Sequence, residues 1–591
     1  MKKYTADFET ATWLDKESFV WAWAVCEINN DNNLIIDNSI ESFFDFLEKE
    51  SGSVFYFHNL KFDSQFIIYY LLKNGFEHIT NIKERRDKTF TTLINKMGVF
   101  YSITIYFKVG KSKKKVKKVT IIDSLKIIPF SVDKVAKSFG LEISKLKIDY
   151  NEPRERGHVL TSEEKDYITN DVRIMAKALK VLFDEGLDKM TIGSNALHDY
   201  KKIIGQTRFN KLFPTLSFKL DEELRKSYKG GFTYLNSYWK DKDTGEGITL
   251  DVNSLYPSCM VAFPLPYGDP IYYEGEYQED KFYPLYIQKI SCSFEIKKNK
   301  IPTIQFKKHF FFAANEYVKS TKGEIEVLTL TSVDLKLFLE QYDVYDLKYI
   351  EGWKFKATKG IFEEYINKWT DRKIKAGKEG NLGQRQLAKL MLNSLYGKFA
   401  TTLIVQEKIP YLEDDIVKYK LGEEGIKDGL YLPVGCFITA YARNKTIRTS
   451  QAITDYSINK YGIDKYIYSD TDSISTTLSI EEVKQFCEID DFELGKWAHE
   501  NTFDNAKFIR QKTYLKLITN KEGEKEIHIT CAGMPKSCYD NVTWDNFKEG
   551  FSCGGKLTYK QVKGGVKLVD TDFTIKTDKK LKKEINDFKT L

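Results

Sequence analysis

The sequence predicts an α/β protein built of several domains, on three observations. Its 591 residues exceed what one hydrophobic core supports, so about three to five structural units are expected. Short strand-like runs rich in Tyr, Ile, Phe and Val end repeatedly in an acidic residue and a turn. Those turns alternate with runs of helix formers, such as Phe66 to Leu72 and Gln384 to Tyr396. An apolar fraction of 42% and an aromatic fraction of 14% belong to a folded chain, and no window holds the roughly eighteen uninterrupted apolar residues of a membrane span. Asp7 and Glu9 interrupt any apolar region after Lys2 and Lys3, which argues against a signal peptide and for a cytoplasmic location. The eight cysteines stand singly with no CxxC pair, so they are expected to be reduced packing residues rather than zinc ligands.

The opening strand brings Asp7 and Glu9 to positions i and i+2, on one side of the chain. Phe55-Tyr56-Phe57-His58-Asn59-Leu60-Lys61-Phe62-Asp63 then runs from an aromatic strand into a turn and a helix. Basic residues Lys111, Lys113, Lys114, Lys115, Lys117 and Lys118 follow; such a run can track a phosphate backbone, although a solvated face explains it as well. Further on, Ile168, Val172 and Met175 predict a helix with Tyr167 and Asp171 one turn apart. Singly, an Asp at a helix start reads as a cap, and Tyr with Asp at i and i+4 as a surface pair. Together, Asp-x-Glu, Asn-x-x-x-Asp and Tyr-x-x-x-Asp resemble the DEDDy 3′-to-5′ exonucleases. That resemblance implies that Asp7, Glu9, Asp63 and Asp171 hold two divalent ions, that Tyr167 orients the attacking water, and that Lys145 is the accompanying basic residue. It further implies DNA contacts from His58, Asn59, Phe62, Phe66, Ser124, Leu125 and Tyr150.

A second set of acids starts at Ile248-Thr249-Leu250-Asp251-Val252, a strand that delivers an aspartate and then turns through Asn253 to Pro257. Lys373 to Gly383 reads as a loop between helical runs. Gln384 to Gly397 reads as a helix closed by its glycine, with Arg385, Lys389, Asn393 and Tyr396 on one stripe, a face suited to a triphosphate and a base. Tyr468-Ser469-Asp470-Thr471-Asp472-Ser473 reads as a hairpin whose tip projects Asp470 and Asp472 to the same side. Paired like charges repel, and a cation such as Mg²⁺, which takes a few carboxylate oxygens with waters and phosphates, relieves them. The last strand-like segment is Val566 to Ile575. Beyond it lie Lys579, Lys580, Lys582 and Lys583, and a Leu581, Ile585, Phe588 spacing that allows a short amphipathic helix.

DxxSLYP, KxxxNSxYG and YxDTDS in this order resemble the family B DNA polymerases. Within that family the layout is similar to the protein-primed subgroup, the replicases of small tailed phages with linear genomes. The resemblance implies an RNase H-like exonuclease domain joined to a right-hand polymerase with two terminal-protein-region insertions. Its expected boundaries are 1–190 exonuclease, 191–262 and 433–530 palm, 263–360 first insertion, 361–400 fingers, 401–432 second insertion, and 531–591 thumb and basic tail. It assigns metal binding to Asp251, Val252 and Asp472, with Asp470 as a catalytic neighbour. Nucleotide contacts fall to Val252, Tyr256, Lys373, Arg385, Lys389 and Tyr396, with Tyr256 bulky enough to exclude a 2′-hydroxyl. DNA contacts fall to Tyr228, Gly230, Gly231, Thr439, Arg443, Lys512 and Tyr514. Implied cofactors are two Mg²⁺ per active site, for which Mn²⁺ can substitute. Implied partners of the monomer are template and primer DNA, dNTPs, a terminal priming protein and a single-stranded DNA-binding protein, in the host cytoplasm and without a membrane. The subgroup also carries intrinsic strand displacement.

Overall fold

Of the strand Lys3–Thr10 only Lys3 and Asp7 escape burial, the pattern of a strand covered on both faces. It is the third strand of an eight-stranded mixed sheet, in the order Asn30–Asp37, Val20–Glu27, Lys3–Thr10, Val54–Phe57, Ser112–Asp123, Phe100–Val109, Thr89–Ile94, Glu77–His78. Helices Ile40–Lys49 and Leu60–Lys73 cover one face through Phe43, Leu47, Phe66 and Ile67. The helix Ser162–Phe183 covers the other through Ile168, Val172 and Leu179, as its periodicity predicts. The computed structural model describes residues 1–109, 112–150, 152–520 and 523–576, and the side chains of all of these but 112–114. Lys111, the side chains of Lys113 and Lys114, and the lysines and amphipathic pattern beyond 576 therefore lie outside the described residues.

A second, five-stranded antiparallel sheet runs Trp497–Phe503, Gly247–Val252, Ser473–Thr476, Tyr466–Asp470, Thr233–Leu235. The long helix Leu432–Tyr461 lies against it, and Ser469 faces that helix, bonded to Ser450 (3.1 Å) and accepting from Tyr466 (2.9 Å). Between strand Gly247–Val252 and this helix, residues 265–358 form a separate four-stranded sheet with its own core of Ile290, Phe294, Phe338 and Tyr342. Two antiparallel strands, Ile404–Glu413 and Ile416–Ile426, make an isolated hairpin. The helices between them depart from the sequence reading. Glu363–Lys378 extends well into the expected loop, because Lys and Ala favour helix and Gly377 lies against Arg385 without obstruction. The next helix, Leu382–Ser394, stops before Tyr396, which opens a separate turn Tyr396–Phe399; Gly397 is inside that turn rather than a closing glycine.

The cysteine expectation holds for six buried free thiols and fails for Cys538 and Cys553, which are joined in a disulfide with Cα atoms 5.9 Å apart. Fifteen residues of sequence separate them, and only the turn Lys536–Asn541 folding onto strand Ser552–Val562 brings them together. That strand and Gly565–Thr574 form a last hairpin, close to the predicted Val566 to Ile575. Both isolated hairpins reach back to the first domain, where Gln65 Oε1 accepts from Tyr419 Oη at 2.7 Å and from Gln561 Nε2 at 2.9 Å. No helix among the described residues is long and apolar enough to cross a membrane.

The start of helix Ser162–Phe183 is held by Glu164, which accepts from Arg154 (2.6 Å) and the Thr161 N–H (2.9 Å) and bonds His158 (2.8 Å). Burial alone would raise its pKa, but these partners pull it down to about 2. Its stabilisation is therefore present above the ordinary glutamate value and is lost as pH falls toward 2. Glu164→Gln should cost about 3 kcal/mol at pH 7, and calorimetry at pH 7 and pH 3 should show the deficit shrinking in acid.

Candidate active sites

The first site gathers four acids from three elements of the chain. Asp7 and Glu9 stand on the central strand; Asp63 lies in the first turn of helix Leu60–Lys73 and Asp171 in the middle of Ser162–Phe183. Burial first, and then mutual repulsion, raises the pKa of Asp7 against Asp171, of Glu9 against Asp7 and Asp171, and of Asp63 against Asp7 and Glu9. Asp63 is not a cap. Asp123, a residue the sequence reading missed, takes that role, its Oδ1 accepting from the N–H groups of Asn59 (3.1 Å), Leu60 (3.3 Å) and Leu125 (3.0 Å). Asn59 itself turns at φ 70°, so the helix enters sharply and Asp63 is left facing the strand acids. Lys145 Nζ donates to Asp171 Oδ2 at 2.8 Å, while Asp171 Oδ1 is buried with no hydrogen-bond partner among the described residues. The hydroxyls of Tyr150 and Tyr167 are bonded to each other, and burial next to Glu9 holds the Tyr167 phenol well above its usual range.

In the second site Asp251 lies opposite Ser473, and the Val252 N–H donates to the Asp472 carbonyl at 2.8 Å, so Asp251 and Asp472 are neighbours. Burial, then the charges of Asp472 and Glu500, push Asp251 up to about 7. Asp472 is raised by burial and by Asp470 and Glu500. Glu500 carried no sequence signal: Thr249 pairs with Asn501 and Leu250 with His499, so Glu500 is the extra residue of a bulge, a device that re-aims a side chain. The expectation that Asp470 and Asp472 project together is corrected. Strand Tyr466–Asp470 ends at Asp470, and Thr471 at φ 60° turns the chain before Asp472, so strand alternation does not extend to it. Asp470 instead pairs with Lys512 Nζ at 2.9 and 3.0 Å and accepts from Thr233 Oγ1 at 3.1 Å. The turn is pinned, because Thr471 N–H donates to Phe232 O (2.6 Å), Thr446 Oγ1 donates to Thr471 O (2.7 Å), and a Cβ on Gly231 would lie 2.5 Å from Thr471 Oγ1.

Facing these acids, the rings of Tyr256 and Tyr396 stack with centroids 4.0 Å apart. Lys373 is lowered by burial and by the charges of Arg385 and Lys389, which brings three cations to one place. The family described as DNA polymerase type B, organellar and viral, matches residues 47–155 and 147–488. The DNA polymerase of Bacillus phage M2 is 46% identical over 591 residues, covering 97% of this chain and 100% of that one. This chain belongs to the type B DNA polymerases. That of Streptococcus phage Cp-1 is 32% identical over 596 residues, covering 97% and 98%. A solved structure of phi29 DNA polymerase with primer-template DNA matches with a TM-score of 0.90 at 45% identity, over 97% of this chain and 100% of that one. Polymerases of this family use divalent metal ions.

Several residues that the sequence assigns to DNA are interior parts of the polymerase. Phe66 and Ser124 are buried, the hydroxyl of Ser124 donating to Phe57 O (2.9 Å) and bonded to His58 Nδ1 (3.0 Å), and the other nitrogen of His58 is bonded to Phe130 O at 2.6 Å. Thr439 is buried within its own helix. Arg443 is buried too, donating to Asp334 (2.7 Å) and to the carbonyls of Lys229 (2.6 Å) and Gly230 (2.8 Å), so it aligns the Tyr228 to Gly231 segment. Asn59 Nδ2 donates to Tyr559 Oη at 3.3 Å and Phe62 packs 6.2 Å from the same ring, so both sit at a contact between the first domain and the last hairpin. Leu125 is half-buried, and Tyr514 stacks loosely on Tyr468 and Phe508.

Because the Asp251 carboxyl is raised above its unfolded value, the folded chain holds an extra proton between about pH 4 and pH 7, and its stability falls as pH rises through that window. Asp251→Asn should therefore raise the melting temperature in EDTA at pH 8, by about 1–3 kcal/mol of stability, with no gain at pH 4.

Proposed function

We propose that the polymerase replicates a linear genome by protein priming, with strand displacement and a 3′-to-5′ proofreading exonuclease at a separate site. The observation that carries the synthetic site is the Val252 to Asp472 backbone bond, which sets Asp251 beside Asp472 opposite three cations and the stacked tyrosines. The reading divides the chain into exonuclease (1–190), palm (191–262 and 433–530), fingers (361–400), thumb (531–591) and insertions 263–360 and 401–432. Support for the insertions is that 265–358 and 404–426 fold on their own strands, outside both large sheets. Such modules suit the gripping of a priming protein and the enclosing of a template.

The acids fit divalent cations. Among the described residues Asp171 Oδ1 is a buried acceptor without a donor, and Asp251 and Asp472 repel one another. Among the described residues no three His, Cys, Asp or Glu side chains stand arranged to hold a metal ion by themselves, whereas Mg²⁺ needs only one or two carboxylates plus waters and phosphates. Asp251, Asp472 and the Val252 carbonyl would hold it in the palm, and Asp7, Glu9, Asp63 and Asp171 in the exonuclease. When bound, two such ions, Mg²⁺ or Mn²⁺, activate the attacking oxygen and neutralise charge on the leaving one. Lys373, Arg385 and Lys389 bind the triphosphate of the incoming dNTP and orient it for in-line attack by a primer hydroxyl. Tyr256, braced by Tyr396, fills the space a 2′-hydroxyl would need. Lys512 pairs with Asp470 and offers its ammonium to the primer strand. In the exonuclease Tyr167 orients the water, Lys145 steadies Asp171, and the Asn59 and Phe62 edge receives the frayed end of template-bound primer.

Asp472→Ala should reduce primer extension by at least about a thousandfold while leaving digestion of single-stranded DNA intact, and loss of both in a folded protein would overturn the separation of sites. Asp7→Ala with Asp63→Ala should do the reverse. Labelled dNTP should become covalently attached to a cognate priming protein; DNA-primed synthesis without such labelling would remove protein priming from the proposal.

A further inference from the structure

Behind the paired aspartates the five-stranded sheet carries a row of polar side chains. Thr249 lies opposite Ser475 on one neighbouring strand and opposite Asn501 on the other. Directly opposed residues share a face, and Thr249 shares it with Asp251, two residues and about 6.7 Å further along the same strand. Across this row lies Lys516, from strand Thr513–Thr519 of the adjoining three-stranded sheet. Only 6% exposed, it donates from Nζ to Thr249 Oγ1 at 2.6 Å and to Ser475 Oγ at 3.2 Å. Its ammonium lies 5.5 Å from the centre of the Phe503 ring and 5.2 Å from that of Tyr514. Among the described residues no carboxylate forms an ion pair with it, and the burial lowers its pKa to about 8, against the pull of Glu500.

An ammonium has three donors, and two are accounted for by the hydroxyls. The third member of the row, Asn501, has a buried Oδ1 that accepts no hydrogen bond among the described residues. A buried cation hydrogen-bonded only to neutral groups is a poor way to stabilise a sheet, because its desolvation is offset only in part by the more distant charge of Glu500. Apolar residues would pack the same row at lower cost. The arrangement instead spans three elements at once: the strand that carries Tyr514, the strand that carries Asp251, and the hairpin that carries Asp472.

We infer that Lys516 is a positioning residue of the polymerase site, a tie that holds the paired strands Gly247–Val252 and Ser473–Thr476 against strand Thr513–Thr519 and thereby fixes how the edge that bears Asp251 and Asp472 is presented to a cation. The inference rests on the assignment of those two aspartates to the synthetic site. Lys516 touches neither substrate nor reacting atoms; it acts through Thr249 and Ser475, each one side-chain repeat behind the catalytic edge.

Lys516→Met keeps the length and apolar packing of the side chain and removes its charge and donors. It should lower kcat for nucleotide addition by about tenfold, leave the KM for dNTP within about twofold, and raise the Mg²⁺ concentration for half-maximal rate several-fold. Calorimetric titration with Ca²⁺ in the presence of dNTP, which requires no turnover, should show weakening of cation binding by a similar factor. Digestion of single-stranded DNA should be unchanged. Lys516→Gln, which retains a donor, should recover part of the loss. Thr249→Val with Ser475→Ala removes the tie from the opposite side and, in combination with Lys516→Met, should add little further. That double variant also serves as the test if Lys516→Met does not fold. Wild-type kcat and cation affinity in Lys516→Met, or an equal loss of exonuclease activity, would overturn the inference. With Asp472→Ala measured alongside, the two failures separate: an inactive Asp472→Ala and a normal Lys516→Met remove the tie alone, whereas an active Asp472→Ala removes the site assignment beneath it.

Discussion

Repulsion between desolvated carboxylates is the constraint around which the polymerase is arranged. Asp251 and Asp472 each sit where burial disfavours ionisation, Asp251 further raised by the charges of Asp472 and Glu500, and Asp472 by those of Asp470 and Glu500. Left to themselves, flexible loops would move such groups apart. Here they belong to strands in fixed register, joined by the Val252 N–H to the Asp472 carbonyl, with the intervening turn held by Phe232, Thr446 and the bare Cα of Gly231. Strain of this kind persists only where surrounding structure over-determines it, and the long helix Leu432–Tyr461 behind the hairpin is buried along most of its length.

The N-terminal site repeats the principle with different parts. Four acids converge from a strand and two helices on opposite faces of the eight-stranded sheet, so neither face alone contains the site. Asp123 satisfies the start of helix Leu60–Lys73, which releases Asp63 from capping and leaves it to face Asp7 and Glu9. The same helix receives both isolated hairpins at Gln65. The element that supplies an acid to one site is therefore also where the two hairpins meet the first domain.

Legibility in the sequence followed chemistry that is local. Asp7, Glu9, Asp63, Asp171, Asp251 and Asp472 were all readable as candidates, because each lies in a short motif that is weak singly and becomes specific through the order in which the motifs follow one another. The stripe of Arg385, Lys389 and Tyr396 was readable for the same reason, although the helix breaks before Tyr396. Glu500, Asp123 and Lys516 were not, since each matters only through a strand or helix far away in the chain. Arg443 and Phe66 were readable as family positions, but an exposed and a buried side chain look alike in a string of letters.

By itself the sequence determined the number and kind of charged groups, the strands and helices that carry them, and the family they belong to, because these depend on residue type and spacing within a few positions. Tertiary structure decided which carboxylates face one another and which are neutralised. Asp470 illustrates the division: its motif pairs it with Asp472, and only the fold brings Lys512 up to form an ion pair with it. Electrostatic energy depends on distance and burial, and neither is a property of the chain until it has folded.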